Sequence, residues 1–249
     1  MRPLLSRLCA NRSAAVPVTA WSTGTAWMRR HSSSSVPGDR LSLQEEYWPT
    51  KVCYGCGPSN AAGLHVKSRL VVDYVAAAMA ASAVAFEECN DAGIAAGVPM
   101  LVTECTFVPQ AHHTALPGVL NGGVISSVMD CHSNITAAVA LHRALQLRNG
   151  LAMTVTLDLH VRFKAPTPMQ PILVVAWLNA TDLHVAKQKA RVHAVMVASL
   201  DAVRAFEAWK ARMAAVPAGQ WPVEGLPPLL RSAATSSFGG HFQALRDKK

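Results

Sequence analysis

The chain has 249 residues, half of them hydrophobic and 6% aromatic, with a formal charge of +8. That composition marks a globular chain of one domain or two small ones, with a core of Ala, Val and Leu. The charge is uneven. Residues 1–38 carry Arg2, Arg7, Arg12, Arg29 and Arg30 and no acid, which leaves 18 basic against 15 acidic residues elsewhere. The basic balance belongs to the leader and does not indicate a nucleic-acid partner.

An Arg-rich, Ser/Thr/Ala-rich, acid-free leader has the composition of a mitochondrial transit peptide. Arg7 and Arg12 interrupt the apolar run a secretory signal needs, and Arg29-Arg30-His31-Ser32 resembles a processing region. Residues 1–38 are therefore expected to direct the chain to the mitochondrial matrix; a disordered basic arm is the alternative. In a reducing matrix Cys9, Cys53, Cys56, Cys89, Cys105 and Cys131 are expected as free thiols. No membrane span is expected, because the nearest candidate, 71–86, is short and interrupted by Asp73.

Residues 39–52 read as a linker. Cys53-Tyr54-Gly55-Cys56 then offers two chemistries. A zinc site lacks a second ligand pair at usable spacing, and His65 alone does not complete one. A thioredoxin-like pair would open a helix, yet Gly57-Pro58-Ser59-Asn60 reads as a loop. No metal and no cofactor are expected. Residues 64–74 and 99–108 read as strands, separated by an Ala-rich stretch, 75–98, of undecided structure.

Asn121 heads a helix predicted over 122–147, after the turn at Pro117-Gly118. Its side chain suits an N-cap, and Gly122 and Gly123 let a ligand approach the backbone closely. Free N–H groups at such a terminus form a clamp for a carbonyl oxygen that gains negative charge. Val124, Val128, Cys131, Ile135 and Val139 line one face. Ser126, Asp130, Ser133 and Ala137 lie opposite, a face with a single carboxylate and no long charged side chain, as if covered by a partner or ligand. A small-residue packing face with one tolerated acid is the plainer reading. A lone loop histidine such as His113 is more often structural than catalytic.

Met153 to Phe163 alternates cleanly, with Thr154, Thr156, Asp158, His160 and Arg162 assigned to one face. Strands at 172–178 and 184–198 follow, then an amphipathic segment over 200–216 that suits a helix, then a Pro- and Gly-rich tail, 217–249, expected to be irregular. The order of elements predicts an α+β domain over 53–216. No nucleophile elbow, dinucleotide fingerprint or Walker motif is present.

His113, Pro117-Gly118, Gly122-Gly123 and Asp130 resemble the hallmark of hot dog-fold acyl-CoA thioesterases, in particular the phenylacetate-degradation branch. That family's pattern is H-x-x-x-P-G-x-x-H-G-G, six residues, then Asp; Asn121 stands where it usually has His. The Cys53–Leu64 segment resembles the family's C-x-x-C-G…N-x-x-G-L entry, and 75–98 looks like an insertion. The resemblance implies a hot dog fold, a long central helix wrapped by an antiparallel sheet, working as a homodimer or dimer of dimers on acyl-CoA. It implies that Gly122 N–H polarises the thioester carbonyl and that Asp130 acts as general base or nucleophile. Thr156, seven residues before Phe163, would orient the water or the acid from the other subunit. Asn121, Gly123 and His113 would shape the substrate site, with Arg162 and Lys164 near the phosphates of coenzyme A. A non-catalytic hot dog module, binding acyl groups or serving as a structural subunit in a mitochondrial assembly, is the alternative reading; a dehydratase is a lesser one.

Overall fold

The computed structural model describes residues 41–76, 98–148, 150–216 and 224–245. The proposed leader and most of the expected insertion at 75–98 lie outside these residues.

The linker expected at 39–52 contains a helix. Helix α1, Leu43–Tyr47, begins at Ser42, whose hydroxyl accepts from Glu45 N–H while the Glu45 carboxylate accepts from Ser42 N–H, a reciprocal cap. Leu43 and Gln44 are buried, so this segment belongs to the domain. Strand β1 is Arg69–Asp73 and β2 is Leu101–Phe107; a small hairpin of β3, Thr114–Leu116, and β4, Val119–Leu120, leads into helix α2, Gly122–Ala144. Then come β5, Thr154–Phe163, β6, Ile172–Leu178, β7, Leu183–His184, and β8, Lys189–Val197. Helix α3, Leu200–Ala214, a one-turn helix α4, Pro228–Ser232, and β9, Ala234–Ala244, complete the described chain.

The sheet is antiparallel in the order β1-β2-β6-β8-β9-β5, with β7 on β8. Helix α2 packs on one face against Phe107, Val174, Met196, Phe238 and Phe242. On the other face Phe206, Trp209 and Met213 of α3 bury against Val102, Val175, Trp177 and Val197. The sheet thus lies between two helices rather than simply wrapping one. The two-faced helix expected from periodicity holds only for its first turns. From Ile135 to Leu141 every residue is buried, because sheet and α1 segment together enclose it. Helix α2 is long and apolar enough to cross a membrane by length and composition, but most of it is buried inside the fold.

The tail expected to be irregular supplies α4 and the eleven-residue β9, so the domain extends past residue 216. Gly239-Gly240 hides this strand by reading as a breaker. At Gly240 the glycine is needed: a Cβ there would meet Phe238 Cζ at 2.7 Å and Asp158 O at 3.1 Å. A strand buried between two neighbours tolerates glycine where a side chain must pass close to backbone.

Candidate active site

Asn121 caps α2 with its side-chain oxygen, which accepts from Gly123 N–H at 2.8 Å and Val124 N–H at 3.4 Å. It leaves the first N–H of the helix, that of Gly122, uncapped by that side chain. The tip of the Phe163 ring lies 3.3 Å from where a Gly122 Cβ would stand, so any side chain at 122 would press on that ring. His113 supports this corner from below. It is buried, its Nδ1 accepts from Gln110 N–H at 3.0 Å, and its carbonyl accepts from Asn121 N–H at 2.9 Å. It stacks on Phe107, and burial together with neighbouring His112 holds its pKa below the ordinary range. His113 therefore holds the backbone that presents the cap.

Asp130 stands on α2 and is partly buried. Thr156 Oγ1 donates to its Oδ1 at 2.8 Å. Burial pushes the carboxyl up; the Thr156 bond works against this, and the negative charge on Cys53 adds to it. One turn further along the helix, Thr154 Oγ1 donates to Asn134 Oδ1 at 3.0 Å. The expectation that Thr156 reaches the acid from another subunit is corrected here, because acid and threonine meet within one chain.

A β-bulge makes this contact possible. Thr154 and Thr156 lie opposite Ala244 and Phe242 of β9, on the side facing α2. The register then shifts between Thr156 and Asp158, with Leu157 as the extra residue. Beyond it Leu159, Val161 and Phe163 face α2, opposite Gly240, Phe238 and Ser236. The single alternating pattern expected along this strand is therefore wrong beyond residue 157. An extra residue re-aims every following side chain, and bulges gather at strands that border active sites.

The same register puts Arg162 opposite Ser237, on the face away from Asp130. Lys164 donates its Nζ to Arg231 O at 3.3 Å, and its N–H to Thr235 O at 2.8 Å. Neither cation is brought to the Asp130 side. Gly123, exposed at the helix start, is spent on the Asn121 cap.

Sequence reasoning missed two constellations. Cys131 meets Cys53 and Cys56 beside Asp130. On the opposite face of α2, Gln44 Nε2 donates to Ser68 Oγ at 2.9 Å, and Ser68 Oγ lies 2.7 Å from His132 Nδ1. His132 Nε2 reaches Thr103 Oγ1 at 3.3 Å, which in turn lies 2.6 Å from Thr136 Oγ1. Only the C-x-x-C was visible in advance; nothing in the spacing of Gln44, Ser68, Thr103 and His132 marks them as neighbours.

The sequence matches no protein-family model and no curated protein. Among solved structures, a thioesterase superfamily protein from Shewanella loihica is 20% identical, with a TM-score of 0.36 over 58% of this chain and 84% of that one. A Haemophilus influenzae thioesterase is 10% identical, with a TM-score of 0.38 over 59% and 74%. A putative esterase from Mycobacterium tuberculosis is 12% identical, with a TM-score of 0.37 over 61% and 89%.

Proposed function

We propose that this chain is an acyl-CoA thioesterase with Asp130 as its reacting carboxylate. The observation that carries the proposal is the Asp130–Thr156 pair: a partly buried acid, its pKa raised by that burial, held by one hydroxyl at 2.8 Å. A raised carboxylate is a better base near neutral pH than a solvated one. Acting as base, Asp130 takes a proton from water as the water oxygen attacks the thioester carbonyl carbon. The C–S bond then breaks, and the proton passes to the departing thiolate. Acting as nucleophile, its oxygen bonds to the carbonyl carbon as the C–S bond breaks and the thiolate leaves; water then cleaves the mixed anhydride to the free acid, its proton going to the thiolate. In either route Thr156 fixes the carboxylate's orientation.

The carbonyl oxygen needs a donor, and helix geometry supports one source. Eight residues separate Gly122 from Asp130, a rise of about 12 Å along α2. One carbonyl cannot touch both groups of a single chain, since donor and attacking oxygen must each lie about 3 Å from it. The working site therefore pairs Asp130 and Thr156 of one protomer with Gly122 N–H of its partner. The β5 edge supports a second copy as the cover: it is unpaired in the described sheet and exposes Val155, Leu157, Leu159 and Phe163. A long, apolar edge strand in a soluble protein calls for a partner. A homodimer or a dimer of dimers follows, working in the mitochondrial matrix if the leader acts as its composition implies.

The test is thiol release by the purified full chain on short, medium, long and aryl acyl-CoA, with light scattering for assembly state. Turnover lost in Asp130→Asn supports the reading. A folded dimer inert towards every acyl-CoA overturns it and favours a binding module. Single turnover in ¹⁸O-water that labels the Asp130 carboxylate, by water attack on the aspartyl carbon of the anhydride, establishes the nucleophilic route.

A further inference from the structure

Cys53 and Cys56 sit on the loop before β1, and Cys131 projects from α2, yet their three sulfurs all lie within 4.8 Å of one another. Cys53 Sγ is 3.8 Å from Cys131 Sγ. Sulfurs bound tetrahedrally to zinc at about 2.3 Å stand about 3.8 Å apart, so the spacing needs little adjustment. Cys56 is buried, while Cys53 and Cys131 are partly exposed, which leaves one side of the cluster open to water.

The surrounding backbone is shaped to this cluster. Gly57 N–H donates to Cys53 O at 2.9 Å and closes the turn. A Cβ at Gly57 would meet Cys53 O at 2.7 Å, and one at Gly55 would run into Cys131 Sγ. The loop can lie on the helix sulfur only because position 55 is glycine. Cys53 Sγ and Cys131 Sγ lie within hydrogen-bonding distance of each other, and Cys56 Sγ completes the triangle. Three sulfurs from a loop and a helix, drawn together at ligand spacing by a glycine-shaped turn, make a cation site, whereas a disulfide has no use for the third.

We propose that Cys53, Cys56 and Cys131 bind one zinc ion, with water as the fourth ligand. Binding releases the three thiol protons to solvent, and three Zn–S bonds replace the three S–H bonds, leaving a single net negative charge. The ion staples the Cys53–Gly57 loop to α2 next to Asp130. The site does not depend on the thioesterase reading, and its test does not use activity.

The experiment measures zinc in the full chain purified under reductant from zinc-supplemented cells, alongside cobalt(II) titration of chelator-stripped protein. About one zinc per chain and a thiolate-to-cobalt charge-transfer band are expected in the wild type. Both are lost in Cys131→Ser, shown folded by circular dichroism, and both persist in Cys89→Ser. Folded wild-type protein with neither zinc nor a cobalt band overturns the proposal. So does metal retained in Cys131→Ser, or a zinc-free native chain carrying a Cys53–Cys131 disulfide.

Discussion

Asp130 and His132 stand two residues apart on α2, about 200° around its axis, and face opposite sides. His132 is fully buried and both ring nitrogens are engaged, by Ser68 and Thr103. Burial holds it down at about 4, hence neutral. A consistent proton order runs through that network: Gln44 donates to Ser68, Ser68 to His132, His132 to Thr103, Thr103 to Thr136, and Thr136 to His132 O at 2.8 Å. Asp130 is only partly buried and has one threonine as its side-chain hydrogen-bond partner among the described residues. Polar groups in a helix core thus fall into two kinds. A closed network rigidifies and leaves no capacity for a ligand; a carboxylate with spare acceptor positions at the edge of cover retains that capacity.

The contrast can be broken from either side. Asp130→Asn is expected to lower kcat on the best acyl-CoA by about 10²–10⁴-fold while leaving the melting temperature close to wild type, because the substitution removes a disfavoured buried charge. His132→Ala should do the reverse. Denaturant unfolding should show a loss of about 3 kcal/mol from the cavity and the stranded hydroxyls, with kcat of the folded fraction within about twofold. A kcat loss for His132→Ala as large as for Asp130→Asn would erase the distinction. Thr156→Val sharpens it, since the hydroxyl belongs to the reactive side: kcat should fall about tenfold, for a stability change of about 1 kcal/mol. Asn121→Ala should cost about 1 kcal/mol by loss of the cap, read from the unfolding midpoint, with a smaller effect on kcat than Thr156→Val because Gly122 keeps its N–H.

Much of the Asp130 side was legible from sequence because it is local. Asn121 as cap, the glycine start of α2 and Asp130 two turns on follow from residue type and helical spacing. Thr156 was marked only by the family resemblance, counted back from Phe163, and its facing was not derivable, since the bulge at Leu157 reflects pairing with β9 rather than anything in β5 itself. The closed side was illegible for the same physical reason. Gln44, Ser68, Thr103 and His132 come from four segments, and only the packed sheet brings them together. Cys131 was missed as a partner of Cys53 because ligand spacing was judged along the chain, whereas α2 crosses the loop in space. The strand β9 was hidden by its glycines, which mean a breaker in an isolated segment and a close crossing in a central one.

The place of β9 also sets an order of events. Strand β5, which holds Thr156 against the acid, touches the rest of the sheet only through β9, the last strand of the described chain. Helix α2 and strands β2, β6 and β8 can assemble during synthesis as soon as β8 emerges. Strand β5 must wait for residues 234–244, and pairings of such long sequence separation form late and slowly. Until then its apolar side chains have no sheet neighbour. A nascent chain halted after β8 is therefore a species with its acid already in place and its threonine still unanchored, and it is the form a chaperone would be expected to hold.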